Sequence, residues 1–294
     1  MGEASKEGTI IEQILNEVAE YTGNFRGLRK LVSYPGGDYF IFDQLNRFFN
    51  LAKASVFVEV FGGSCWCSLN VSRSRFKVIV CNDIDQDLIT FYKLVKEKPE
   101  ELVKRVSVLP FSRELLDIAM EVLNDKTADP VTRAIMLFYV FKASFNAKGT
   151  SFRVTKAKNN ARTYANTVAS IVEYAKRFRD VVLECRDFRD VINLYDSSDT
   201  LFYLDPPYVG RVGYYRYSFT YADLKNMAVV LRSVKGSWIL KIAEDNYRVI
   251  KDILSQHEIG EVRSPMYMVK AMDGEERPEL IYLIAHNIKT PKLG

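Results

Sequence analysis

Residues 201–210 read LFYLDPPYVG: an apolar run, then an acid, two prolines and a tyrosine. Proline lacks a backbone N–H and fixes φ, so a strand that runs into Pro206 and Pro207 must stop in a stiff turn with exposed carbonyls. The Asp205 carboxylate and a neighbouring backbone carbonyl, held rigidly together, are two acceptors suited to one –NH2 donor. Tyr208 adds a flat face on which an aromatic ring can stack. An amino group carried by a planar base meets all three features. Two other segments invite a ligand. EVFGGSCW (59–66) places Gly62 and Gly63 after an apolar run, where a ligand can approach the backbone closely. VIVCNDID (78–85) ends in Asp83 and Asp85, either of which can accept hydrogen bonds from ribose hydroxyls, about twenty residues after the glycine turn. Taken singly, these two also read as a tight turn and a helix cap.

Such residues act together only if a fold brings the strand ends side by side, as an open α/β sheet does. The runs SVFVEVF, FKVIVCN, VVLEC, TLFYLD and SWILKI are short, apolar and rich in β-branched and aromatic residues, which predicts buried parallel strands. SPMYMVKA (264–271) and PELIYLIAH (278–286) predict an antiparallel pair around a turn at Asp273-Gly274. Helices are predicted from the spacing of Ile10, Ile11, Ile14, Leu15 and Val18, from the Pro35-Gly36-Gly37 turn to about Phe49, at CSLNV (67–71), and over 86–106, 223–234 and 245–256. The expected fold class is α/β, a Rossmann-like doubly wound sheet interrupted by an inserted, mainly helical domain. The boundaries read as 1–108 and 180–294 for the sheet domain and 109–179 for the insertion.

The totals narrow the chemistry. The chain has 294 residues, 48% hydrophobic and 27% charged, with a net charge of +4, ordinary for a globular protein. No apolar run reaches the roughly eighteen residues of a membrane span, and the N-terminus lacks a signal-peptide pattern. There are four cysteines and two histidines, with Cys65 and Cys67 too close together for zinc spacing. Neither a metal site nor a disulfide framework is expected, and the chain reads as reduced and cytoplasmic. Its basic residues gather between Lys142 and Arg179, with Glu173 the one acid among them. That concentration suggests a surface facing phosphates.

The ordered set of motifs resembles the Dam-type adenine-N6 DNA methyltransferases that use S-adenosylmethionine, over about Phe25 to Asn287. The likeness comprises Tyr34-Pro35-Gly36-Gly37, Glu59-Val60-Phe61-Gly62-Gly63-Ser64, Asn82-Asp83-Ile84 followed by DLITFY, Phe145-Asn146, Asp187-Phe188, Asp205-Pro206-Pro207-Tyr208, FTYADL and ELIYLIAHN. The resemblance implies cofactor contacts from Tyr34, Gly36, Gly37, Glu59, Phe61, Gly62, Gly63, Asp83, Ile84, Asp187, Phe188 and Asp205. It implies catalysis by Asp205, Pro206, Pro207 and Tyr208, and target recognition by the 109–179 insertion. The DNA-contact candidates are Lys142, Asn146, Lys148, Arg153, Lys156, Lys158 and Arg162. This chain departs from the family at Asp38, where the family carries a lysine able to neutralise the cofactor carboxylate. It departs again at Cys65, which replaces a third glycine and is expected to crowd the methionine moiety.

The expected reaction moves a methyl group from S-adenosylmethionine, leaving S-adenosylhomocysteine, to N6 of an adenine flipped out of duplex DNA, without a metal. Hydrogen bonds from the amino group to Asp205 and the Pro206 carbonyl strengthen as positive charge builds on nitrogen. The expected partner is double-stranded DNA, with a cognate restriction endonuclease alongside, and the expected state a monomer or weak dimer away from membranes. The competing readings are an RNA base amino-methyltransferase and a catalytically silent DNA-binding relative.

Overall fold

Five apolar runs become parallel strands; four are covered on both faces over most of their length, while the edge strand Val181–Glu184 leaves Val182 exposed. The computed structural model describes residues 30–32, 37–156, 158–210, 216–254, 256–265 and 279–288. The expected opening helix, the residues 34–36 and the turn at 273–274 lie outside them. The sheet has seven strands in the order β3-β2-β1-β4-β5-β7-β6. These are β1 (Val56–Glu59), β2 (Val78–Asn82), β3 (Val181–Glu184), β4 (Thr200–Leu204), β5 (Ser237–Ile242), β6 (Glu258–Pro265) and β7 (Glu279–His286). β1 to β5 are parallel, and β7 runs antiparallel between β5 and β6. β6 begins six residues before the expected SPMYMVKA run. Its start is set by pairing, since Glu258 to Pro265 match His286 to Glu279 residue for residue.

Alternation along the strands sorts the core into two layers. Val58, Val80, Phe202, Leu204, Leu240 and Ile242 point to one face and are covered by helices Phe188–Tyr195, Tyr221–Ser233 and Glu244–Ile250. Phe57 and Tyr203 point to the other, where both rings meet Phe49 of helix Phe42–Phe49 at centroid distances of 5.2 and 5.1 Å. The first acids beyond these strands therefore emerge at one edge of a doubly wound sheet.

By contact density the chain divides into two compact units, 1–34 with 90–179, and 35–89 with 180–294. The second holds the sheet. The described part of the first is helical, with helices Pro99–Ser107, Arg113–Asn124, Pro130–Ala143, Asn160–Ala169 and Ile171–Phe178. Ser112, Asp129 and Asn159 cap three of them through their side chains. A buried aromatic cluster fastens them: Phe91 stacks on Phe138 at 4.8 Å, Tyr92 on Phe178 at 5.0 Å, and the Tyr164 hydroxyl donates to the Val106 carbonyl at 2.8 Å. The helix expected over 86–106 is two, Gln86–Glu97 and Pro99–Ser107, because Pro99 cannot continue a helix but suits its first turn. Among the described residues no helix is long and apolar enough to cross a membrane.

Candidate active site

Strand register assembles the site before any loop is considered. Glu59 pairs with Tyr203, Tyr203 with Ile239, and Leu204 with Leu240. In-register residues of parallel neighbours point the same way, so Glu59, Tyr203 and Lys241 share one face at the carboxyl edge. The 3-10 turn Asp38–Phe40 and the helix Trp66–Asn70 deliver Asp38 and Cys67 to that face.

Here Lys241, fully buried, bonds to both Asp38 and Asp205, with 2.6 Å from Nζ to Asp205 Oδ2. The Tyr203 hydroxyl donates to Asp38 Oδ2 at 2.9 Å, and the Cys67 thiol approaches the same oxygen at 3.4 Å. The Tyr208 hydroxyl donates to Asp205 Oδ1 at 3.3 Å, and its ring lies 6.1 Å from that of Tyr282. The Lys241 ammonium stands 5.0 Å from the Tyr282 centroid, a favourable cation–π distance. The Asp205 side chain keeps 16% exposure. Burial pushes its carboxyl up to about 7, against the lowering effect of Lys241 and with the raising effect of Asp38. Burial alone would lower the Lys241 ammonium, but the Asp205 and Asp38 carboxylates hold it well above its usual range. Glu59 is pushed up to about 8 by burial while accepting from the Cys67 and Ser68 amides at 3.3 and 2.7 Å, and burial also raises the Cys67 thiol. Asp38, Glu59 and Cys67 lie within 4.8 Å of one another. Burial thus favours the uncharged forms of Glu59 and Cys67, and the positive charge beside them is that of Lys241. One Asp205 oxygen is held by Lys241 and the other accepts from Tyr208.

The turn after the acid is equally fixed. Pro206 is buried, Pro207 and Tyr208 half-buried. Asn246 clamps the next residue, accepting from the Val209 amide at 2.8 Å and donating to its carbonyl at 3.3 Å.

The glycine loop and the end of β2 are tied together. The Gly62 amide donates to the Asn82 carbonyl at 2.6 Å, and the Gly63 amide to Asp83 Oδ2 at 2.8 Å. A Cβ on Gly62 would stand 2.6 Å from Cys81 Sγ and 2.8 Å from the Asn82 carbonyl oxygen, so only glycine fits there. Cys65 adopts a left-handed backbone with φ 50°, the conformation a glycine would take at no cost. Its side chain turns to β2 and forms a disulfide with Cys81. Two cysteines expected as reduced thiols are therefore joined, and Cys65 is directed away from the crowding role expected of it. Spacing concealed the pair, because the residues meet only when the loop folds back over β2. Burial raises the Asp83 carboxyl to about 6. Asp85 is committed elsewhere: it accepts from the Asp87 and Leu88 amides and pairs with Arg216, which also reaches Asp87 at 2.7 Å. Ile84 is 48% exposed beside it.

Phe61, half-buried, packs against Phe188 and Phe219 at 5.8 and 5.6 Å. Asp187 caps helix Phe188–Tyr195 and pairs with Arg189. Gly37 lies in ordinary extended backbone before the 3-10 turn, while Tyr34 and Gly36 fall outside the described residues. In the helical unit, Lys156, Lys158 and Arg162 are exposed, Lys148 and Arg153 half-buried, and the Asn146 side chain is outside what is described. Lys142 is corrected as a surface cation: it is buried, donates to the Lys30 carbonyl at 3.2 Å, and burial lowers it to about 7. Sequence reasoning missed Lys241, Arg216 and Asn246. A lysine inside the apolar run SWILKI was the one available signal; nothing in the sequence marked Asn246.

A family model described as D12 class N6 adenine-specific DNA methyltransferase matches residues 34–267. The chain belongs to that family. Its relatives include the DNA adenine methylase of Escherichia coli K12, 26% identical over 218 residues, which span 69% of this chain and 75% of the relative. The DNA adenine methylase of Salmonella typhi is 23% identical over 227 residues, 72% and 78% of the two chains. The Type II methyltransferase M.MjaIII of Methanocaldococcus jannaschii is 22% identical over 254 residues, 76% and 86%. As a D12 class enzyme the chain methylates adenine N6 in DNA, and DNA is its partner.

Proposed function

We propose that the adenine amino group is bound at the Asp205-Pro206 corner, with S-adenosylmethionine held between the glycine loop and the end of β2. The observation that carries this reading is the corner itself: a partly exposed carboxylate beside a buried proline, fixed on one side by Lys241 and on the other by Asn246. The residues at the β2 end fit the cofactor. Asp83 accepts one amide on each oxygen, from Gly63 and Asp85, and a carboxylate has capacity for a ribose diol besides. Phe61, Phe188 and the exposed Ile84 offer apolar surface to an adenine ring. The bound cofactor supplies a methyl group already activated on a sulfonium.

This chain's residues then do the remaining work. Asp205 and the Pro206 carbonyl accept the two amino hydrogens, favouring a pyramidal nitrogen, and their attraction grows as that nitrogen becomes positive. Tyr208 stacks on the base, which must leave the duplex to arrive there. The exposed Lys156, Lys158 and Arg162 of the 109–179 region contact phosphates, offsetting an unstacking cost of roughly a few kcal/mol. A monomer or weak dimer in the cytoplasm, acting beside a restriction endonuclease, completes the proposal, and S-adenosylhomocysteine is its product.

The test is transfer of a tritiated methyl group to duplex DNA, with nucleosides separated afterwards. Wild-type protein should yield N6-methyladenine. Asp205→Ala should lose about a thousandfold in rate while still showing saturable binding of S-adenosylmethionine. Near-normal turnover by that variant would remove Asp205 from the chemistry.

A further inference from the structure

We propose that Lys241 is a positioning residue for methyl transfer. It pins Oδ2 of Asp205 and, balanced against Asp38, sets the negative charge that the carboxylate offers to the target amino group. The inference rests on Asp205 being the acceptor.

One ammonium, with no exposure, stands between two carboxylates from different parts of the sheet unit, and its bond to Asp205 is 2.6 Å. A buried lysine without a task would be costly there, since its desolvation is repaid only by close partners. Its neighbours hold it in place: Tyr203 donates to Asp38 from β4, and Tyr282 of β7 lies under the ammonium. The consequence for Asp205 is geometric. With Oδ2 held, the carboxylate plane is restrained from turning, and Oδ1 accepts from the Tyr208 hydroxyl at 3.3 Å, a long bond that an incoming donor can displace.

The same arrangement governs charge. The groups facing Asp205 are Lys241 from β5, Asp38 from the 3-10 turn and Tyr208 from the corner itself. Tyr203, Cys67 and Glu59 surround Asp38, and burial raises all three, favouring their uncharged forms. Lys241 therefore favours the ionised acceptor and Asp38 opposes it. A protonated Asp205 would gain little attraction as positive charge develops on nitrogen.

The experiment measures the pH dependence of methyl transfer from about pH 5.5 to about 9.5, using the full chain, unmethylated genomic duplex DNA and tritiated S-adenosylmethionine. Asp205 must be ionised, so the rate rises with pH through its ionisation. In Lys241→Met that acidic limb should move upward by about one pH unit or more, giving a loss of about fivefold or more at pH 7 and recovery at high pH. In Asp38→Asn it should move downward. Damage to packing alone would not shift the two limbs in opposite directions. Unmoved limbs, limbs shifting the same way, or a folded Lys241→Met inactive at every pH would each overturn the inference. If Lys241→Met fails to fold, Asp38→Asn decides by itself. Asp205→Asn separates the two levels. Its inactivity beside unmoved limbs sinks the role of Lys241 and leaves the acceptor standing, whereas its full activity sinks the acceptor.

Discussion

The ends of β2 and β4, on either side of β1 at the same edge of one sheet, carry the same residue type yet treat it oppositely. After β2, each aspartate is met by the amide two residues ahead: the Asp85 amide donates to Asp83 at 2.9 Å, and the Asp87 amide to Asp85 at 3.0 Å. Asp187 receives the Arg189 amide in the same manner. This is the ordinary local turn of an aspartate, in which its own backbone satisfies it. After β4 the residue two ahead of Asp205 is Pro207, which has no N–H to give. The carboxylate must find its donors elsewhere, and it has Lys241 and Tyr208. Two prolines after the acid thus do more than end a strand: they prevent the chain from capping its own acceptor.

The sharpest way to break this contrast is to remove one acid from each end. Per folded molecule, Asp205→Ala should lose about a thousandfold in methyl transfer, and it also takes one of two carboxylates from the buried Lys241. Asp85→Ala should show its effect in stability and leave the chemistry in place. It deletes a helix cap and leaves Arg216, which is 30% exposed, without one of its two acids, so unfolding by denaturant should show a loss of about 2 kcal/mol. Its rate per folded molecule should stay within about tenfold. If Asp85→Ala lost as much rate as Asp205→Ala, the division into a structural and a chemical acid would fail.

The β2 end is further tied by the disulfide between Cys65 and Cys81, which closes a loop of sequence separation 16 around the glycine turn. Loop closure of this size is worth about 3 kcal/mol. The double variant Cys65→Ser/Cys81→Ser, or the wild type in reductant, should lose about that much on chemical unfolding. Equal stability in oxidised and reduced protein would mean that the amide bonds from Gly62 and Gly63 alone hold the loop.

How much of this could be read from the chain follows from the range of each interaction. The five parallel strands, the antiparallel close and the DPPY corner were legible, because each depends on residues next to one another. The break at Pro99 was legible in principle and overlooked, since the apolar spacing continues through it. The pairing of Lys241 with Asp38 spans 203 residues and that of Arg216 with Asp85 spans 131. No local pattern encodes such a meeting; strand register and loop closure create it. The burial of Lys142 was concealed for a related reason, because a charge-rich segment says nothing about which cations the helix Pro130–Ala143 turns inward.

The smallest expected effect is the most direct probe of the contrast. Pro207→Ala restores an N–H two residues beyond Asp205 while leaving the acid, its lysine and Pro206 in place. Where that amide captures an Asp205 oxygen as the Asp85 amide captures Asp83, it competes with the target amino group for the same acceptor. A hydrogen bond to a charged group is worth about 1.5–3 kcal/mol, and part of it is offset by loss of the Tyr208 bond. The rate of methyl transfer should therefore fall about tenfold, with cofactor affinity unchanged. The added alanine also loosens the unfolded chain, lowering stability by less than about 1 kcal/mol. Should Pro207→Ala methylate DNA at the wild-type rate, the second proline would act only as a stiffener of the turn, and the missing N–H would have no part in keeping Asp205 available.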